Sequence, residues 1–201
     1  MGRSNIITFD YELFLGEESG LAYDCIIEPT NKILELFKKE KVKGVFFVDT
    51  IYLLRLQEAA STYKLAKIDY DAICKQLLNL ANHQQYIYPH LHPHWLDAHY
   101  NADTNTWSLT DTSKYRVESL KDETVELLFS QSIQLLYSIT GLSNNQIDGY
   151  RAGGWSIQPF SKFRKSFLQN GIKYEMSVIP GKHIQSDTLQ YDFENAPNKV
   201  K

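Results

Sequence analysis

Cysteine is scarce in this chain. Only Cys25 and Cys74 occur, far apart and without CxxC spacing, which argues against a thiolate zinc site. Two such residues favour free thiols in a reducing compartment over a disulfide framework. Long hydrophobic runs are lacking as well. The first apolar run, residues 6–9, is too short for a signal segment or a membrane span, so a soluble, cytoplasmic chain is expected. Charge of one sign is missing too. The net charge is −3 and the signs are mixed, so no basic block marks a nucleic-acid surface. The short run Lys38, Lys39 and Lys43 is broken by Glu40 and reads as the solvated end of a helix, where cations suit the dipole. There is no repeat, low-complexity tract or linker. The 201 residues are expected to form a single domain.

What is present is an alternation of short apolar runs and longer helix-period segments. Residues 6–9 and 44–48 are rich in β-branched and aromatic types and predict strands. Between them, Ile33, Leu34, Leu36 and Phe37 recur at helical spacing after Pro29. Asp49 and Thr50 are placed to cap a helix through Leu56. Residues 69–80 predict another helix, 86–88 a strand, 120–140 a long helix, and 149–151 a strand end. The polar stretch 99–114 predicts a loop. Residues 160–170 predict a helix with Gly171 as its C-cap, and 172–178 a last strand. This order argues for an α/β fold with a largely parallel sheet, either a single layer or a barrel.

Three stretches carry chemistry, and each follows a strand candidate. Side chains at the carboxyl ends of parallel strands converge on one face, so distant residues can meet there. The first holds Asp10 and Glu12, two apart and therefore on one side of an extended chain. Two carboxylates so placed repel unless a cation or a shared proton separates them. The second reads His90-Leu91-His92-Pro93-His94-Trp95, and five of the six histidines lie between positions 83 and 99. If extended, all three histidines share a face. If Pro93 opens a helical turn, His90 and His94 remain neighbours. Either geometry lets two imidazoles bind one divalent ion, with zinc favoured by imidazole plus carboxylate. The third is Tyr150-Arg151-Ala152-Gly153-Gly154-Trp155. Arg151 can orient a carboxylate by a bidentate bond. The glycines allow backbone N–H groups to approach an oxyanion. Taken singly, each stretch also has a structural reading: surface acids, packed histidines, a glycine turn.

Taken together, TFD-x-E, H-x-x-x-H and R-x-G-G-W resemble the NodB-type polysaccharide deacetylases, carbohydrate esterase family 4, in a branch with FDxE and HxHPHW motifs. Val45-Phe46-Phe47-Val48 is similar to the second strand of that family, and the resemblance spans residue 6 to about 180. It implies a distorted (β/α) barrel, incomplete at the C-terminus, and a metal-dependent hydrolase removing N-acetyl groups from an amino sugar or polysaccharide intermediate. It places the base on Asp10, its tether on Arg151, and the metal on His90 and His94. The usual metal-binding acid would fall on Tyr11, so Glu12 is expected to replace it. His92 becomes a reserve ligand or a substrate contact. Gly154, Trp95 and Trp155 are expected at the substrate, with Trp107 better explained by packing. The late histidine expected as general acid has no counterpart here, since His183 lies too early. That leaves two further readings: a metal- or carbohydrate-binding barrel without catalysis, and a C–N hydrolase for a small non-sugar amide.

Overall fold

A computed structural model describes residues 5–15, 19–109, 114–143, 145–186 and 189–197. Five strands form one parallel sheet: β1 (Thr8–Tyr11), β2 (Val45–Asp49), β3 (Tyr86–Leu91), β6 (Gly149–Ala152) and β7 (Tyr174–Glu175), side by side in that order. Two short antiparallel hairpins flank it, β4 (His99–Asn101) with β5 (Thr106–Ser108), and β8 (His183–Gln185) with β9 (Gln190–Asp192). Each new strand of the main sheet is added on the same side, so β1 and β7 are edges among the described residues. Mixed α/β architecture with a parallel sheet is therefore the observed class.

The register sorts the side chains onto two faces. Strands alternate with period two. Because Thr8, Asp10, Phe47, Asp49, Tyr88, His90 and Arg151 are in register, they belong to one face. Phe9, Tyr11, Phe46, Val48, Ile87, Tyr150 and Ala152 belong to the other, and that face meets the helices. Phe9 packs on Phe37 of α1 (Glu28–Glu40). The Tyr11 hydroxyl donates to Gln76 Oε1 in α3 (Lys64–Asn82) at 2.7 Å. Tyr150 packs on Phe129 of α4 (Asp122–Thr140) and on Phe167 of α5 (Arg164–Asn170). Each such aromatic pair adds roughly 0.5–1.5 kcal/mol beyond its burial. The chemistry thus sits on the face away from the helices.

Helix starts and stops follow local chemistry. Asp49 is the N-cap of α2 (Thr50–Ala60), with Oδ1 accepting from the Tyr52 N–H at 3.2 Å. Gly141 and Gly171 end α4 and α5 in the left-handed conformation. Four expectations need adjustment. Helix α3 begins at Lys64, ahead of residue 69: Leu65 and Ile68 face solvent, and the first turn puts only the small Ala66 into the core, so large apolar residues do not mark its start. The stretch 99–114 is not all loop. Tyr100 packs edge-on against buried Trp107 at 5.3 Å and anchors a hairpin that the polar residues conceal, while 110–113 lie outside the described residues. Residues 160–170 divide into a 3₁₀ turn, Phe160–Lys162, and α5. The last parallel strand shrinks from 172–178 to Tyr174–Glu175. Cys25 and Cys74 are both free thiols, and no helix among the described residues is long and apolar enough to cross a membrane.

Candidate metal centre

The site grows from one row of the sheet. Asp49, His90 and Arg151 are direct cross-strand neighbours at the carboxyl ends of β2, β3 and β6. Asp10 stands one row earlier, level with Phe47 and Tyr88. Two residues on, Glu12 reaches the row of His90. This explains why the second acid is two positions after the first. Tyr11, in between, points to the helix side and is spent on Gln76, so it cannot reach a metal on this face.

Glu12, His90 and His92 bring three ligand atoms together. Glu12 Oε2 lies 2.8 Å from His92 Nε2 and 3.3 Å from His90 Nε2, and the two Nε2 atoms are 3.0 Å apart. Donors around a tetrahedral ion at about 2.0–2.1 Å are about 3.3 Å from one another, so this triangle is near the size an ion would impose. Glu12 Oε2 is buried and has no well-directed hydrogen bond. A buried anionic oxygen facing two imidazole nitrogens is what a cation would satisfy. His90 Nδ1 lies 2.8 Å from the Arg151 carbonyl oxygen, which sets Nδ1 as the donor and leaves the Nε2 lone pair for the cluster. The donor set therefore fits a divalent ion.

The charges agree. Burial opposes ionisation of Glu12, but the neighbouring His90 and His92 override it and hold the carboxyl well below the usual range. Burial pulls His90 down, and Glu12 more than reverses this. Burial raises Asp49 to about 6, partly offset by His92 and His90.

Arg151 holds Asp10, with Nη1 donating to Oδ1 at 2.7 Å. Its second terminal nitrogen goes to Thr8 Oγ1 at 3.1 Å and its Nε to the Met176 carbonyl at 3.2 Å, so the expected two-pronged grip on one carboxylate is instead shared among three acceptors. The guanidinium lies 4.1 Å from the centre of the Phe47 ring, a cation–π seat that stops it from swinging away.

The remaining expected residues separate. His92 joins the cluster because it continues the extended chain from His90. Pro93 then opens a 3₁₀ turn, Pro93–Asp97, and the period of two ends. His94 consequently leaves the cluster. It is buried between Trp95 and Tyr115, and neither ring nitrogen has a partner. Burial, then His92, pushes it down to about 3, so it is neutral near pH 7. Trp95 is a correction: it is wholly buried and its Nε1–H donates to Asp49 Oδ2 at 2.5 Å, so no ring face is offered to a ligand. Trp107 is core, as the packing alternative held. Trp155 is 39% exposed beside Gly154, where a flat ring can meet a ligand. Gly153 is needed for space: a Cβ there would stand 2.6 Å from the Leu91 carbonyl oxygen and 2.7 Å from His92 Nδ1. Gly154 is needed for conformation, with φ +60. Sequence reasoning missed Thr8 and Tyr115, whose residue types carry no signal without a spatial partner.

A comparison with protein-family models finds no match, and neither does one with curated proteins. Among solved structures, the chain is similar to one from Mycobacterium smegmatis provisionally described as a polysaccharide deacetylase, at 15% identity and a TM-score of 0.46. The similarity covers 75% of this chain and 38% of that one, so the matched region is well under half of the other protein's length.

Proposed function

We propose that this chain is a metal-dependent hydrolase of C–N bonds that removes N-acetyl groups from an amino sugar or a polysaccharide intermediate. The observation that carries the reading is the convergence of Glu12, His90 and His92 beside an Arg151-held carboxylate, Asp10. Zinc is the ion best matched to two imidazoles and one carboxylate. Such an ion supplies Lewis acidity, acidifying a water and polarising an acyl carbonyl.

The chain's own groups do the rest. Asp10, oriented by Arg151, accepts the proton of the attacking water, and as the C–N bond breaks that proton passes to the leaving amine. The backbone N–H groups at Gly153 and Gly154 face the acyl oxygen as it turns anionic. Trp155 lies against the apolar face of the sugar ring. The consecutive order of the parallel strands also suits a sector of a (β/α) barrel, in which functional groups gather at the carboxyl ends.

The test measures metal by elemental analysis and acetate release from N-acetylglucosamine oligomers, for the wild type and Asp10→Asn. The reading expects about one divalent ion per chain, acetate release by the wild type, and a kcat loss of at least about 10²-fold in the variant. No metal after reconstitution overturns the site. Metal without acetate release from any amide tested overturns the activity and leaves a binding protein.

A further inference from the structure

We infer that Tyr115 is a catalytic residue of this hydrolysis, its phenol hydroxyl donating a hydrogen bond to the acyl oxygen as negative charge develops there. The inference rests on reading the site as an amide hydrolase.

Three contacts fix the ring beside His92, one member of the metal cluster. It stacks on His94, with centroids 5.8 Å apart and planes 13° apart. It meets His92 edge-on at 5.9 Å. It also lies against Gly154: a Cβ there would stand 2.7 Å from Tyr115 Cε1 and 3.5 Å from Cζ, the carbon that bears the hydroxyl. The hydroxyl end is therefore beside the backbone turn assigned to the oxyanion, and the ring touches the ligand His92. Only glycine at position 154 leaves room for it.

The hydroxyl is the part that packing does not use. Packing on His94 and His92 needs a six-membered ring, which phenylalanine also has. Among the described residues the Tyr115 hydroxyl makes no hydrogen bond; the Tyr137 and Tyr150 hydroxyls also lack a partner but are enclosed in the protein, whereas the Tyr115 hydroxyl is not among the enclosed ones. A neutral phenol carries one O–H donor. It acts as a donor throughout, and its O–H bond is not broken. A neutral donor beside a developing oxyanion strengthens its bond as the charge grows, which is the differential binding that accelerates a step.

The test compares the zinc-loaded wild type with Tyr115→Phe and Tyr115→Leu. Three quantities are measured: acetate release from N-acetylglucosamine oligomers, calorimetric affinity for methylphosphonate as a tetrahedral mimic, and bound metal. Tyr115→Phe is expected to keep its metal and its KM, to lose about 10²-fold in kcat, and to bind methylphosphonate at least about tenfold more weakly. If Tyr115→Phe matches the wild type in kcat and methylphosphonate affinity while Tyr115→Leu fails, the ring only packs and the inference is overturned. Loss of metal in Tyr115→Phe in proportion to activity also overturns it. If the wild type releases no acetate, the hydrolase reading fails by itself. Methylphosphonate binding then still judges Tyr115, equal affinities counting against it.

Discussion

Glu12 and Tyr11 are adjacent, yet their side chains leave the sheet on opposite faces, and this alternation decides which of them can bind a metal. Glu12→Ala is expected to reduce zinc affinity by at least about 10²-fold, since it removes the one charged donor of three. Tyr11→Phe is expected to keep its zinc but lose about 1 kcal/mol of stability, because buried Gln76 Oε1 loses a donor. Competition with a chromophoric chelator and chemical unfolding separate the two effects. Loss of zinc in Tyr11→Phe with retention in Glu12→Ala would reverse the assignment. A second expectation at this scale concerns Glu118, whose carboxyl burial pushes up although Ser156 Oγ donates to it at 2.7 Å. The folded state holds this proton more tightly than the unfolded chain. Its contribution to stability is therefore full below the ordinary glutamate range and is lost as pH rises through the raised value. Glu118→Gln should stabilise the protein by about 1 kcal/mol at pH 8 and by much less at pH 4. Thermal unfolding at the two pH values checks this, and equal shifts at both would count against it.

At the scale of elements, the junction of β2 and α2 joins the fold to the site. Asp49 caps α2 with one carboxylate oxygen and receives the Trp95 indole N–H with the other. It thereby ties the turn that follows His92 to the strand beside it. Asp49→Ala removes an N-cap, worth about 1 kcal/mol, and leaves a buried indole donor unpaired, worth about 1–3 kcal/mol. A total loss of about 2–4 kcal/mol in urea unfolding is expected. Asp49→Asn, which keeps the capping oxygen, should lose less. Equal losses would mean that the cap contributes nothing.

At the scale of the molecule, the Glu12–His90–His92 cluster connects the end of β1 to the end of β3, elements more than seventy residues apart in the chain. A ligand bound only by the folded state stabilises it by mass action, about 2.7 kcal/mol at a hundredfold excess over Kd. Zinc should therefore raise Tm by several degrees, a chelator should reverse the rise, and Glu12→Ala should abolish it. Calorimetric scans decide this, and a rise of the same size in Glu12→Ala would place the ion elsewhere. Acid should weaken the effect, because imidazoles must be unprotonated to ligate.

The sequence by itself determined the alternating order of strands and helices, the Asp49 cap, the glycine end of α5, and the three stretches singled out as candidates for chemistry. These are local matters: periodicity, capping and turn residues act within a few positions. Tertiary structure alone decided which of His92 and His94 joins the cluster, that Trp95 is core, that Arg151 divides its bonds among three acceptors, and that Tyr115 packs against His92 and His94. Spacing leaves both outcomes open for His94, because a period of two and a helical turn each keep it near His90. What settles it is the turn at Pro93, together with the aromatic packing of Trp95 and Tyr115 from outside the motif. The physical reason is that strand register and burial are set by partners remote in the chain, and no local pattern encodes which partner arrives.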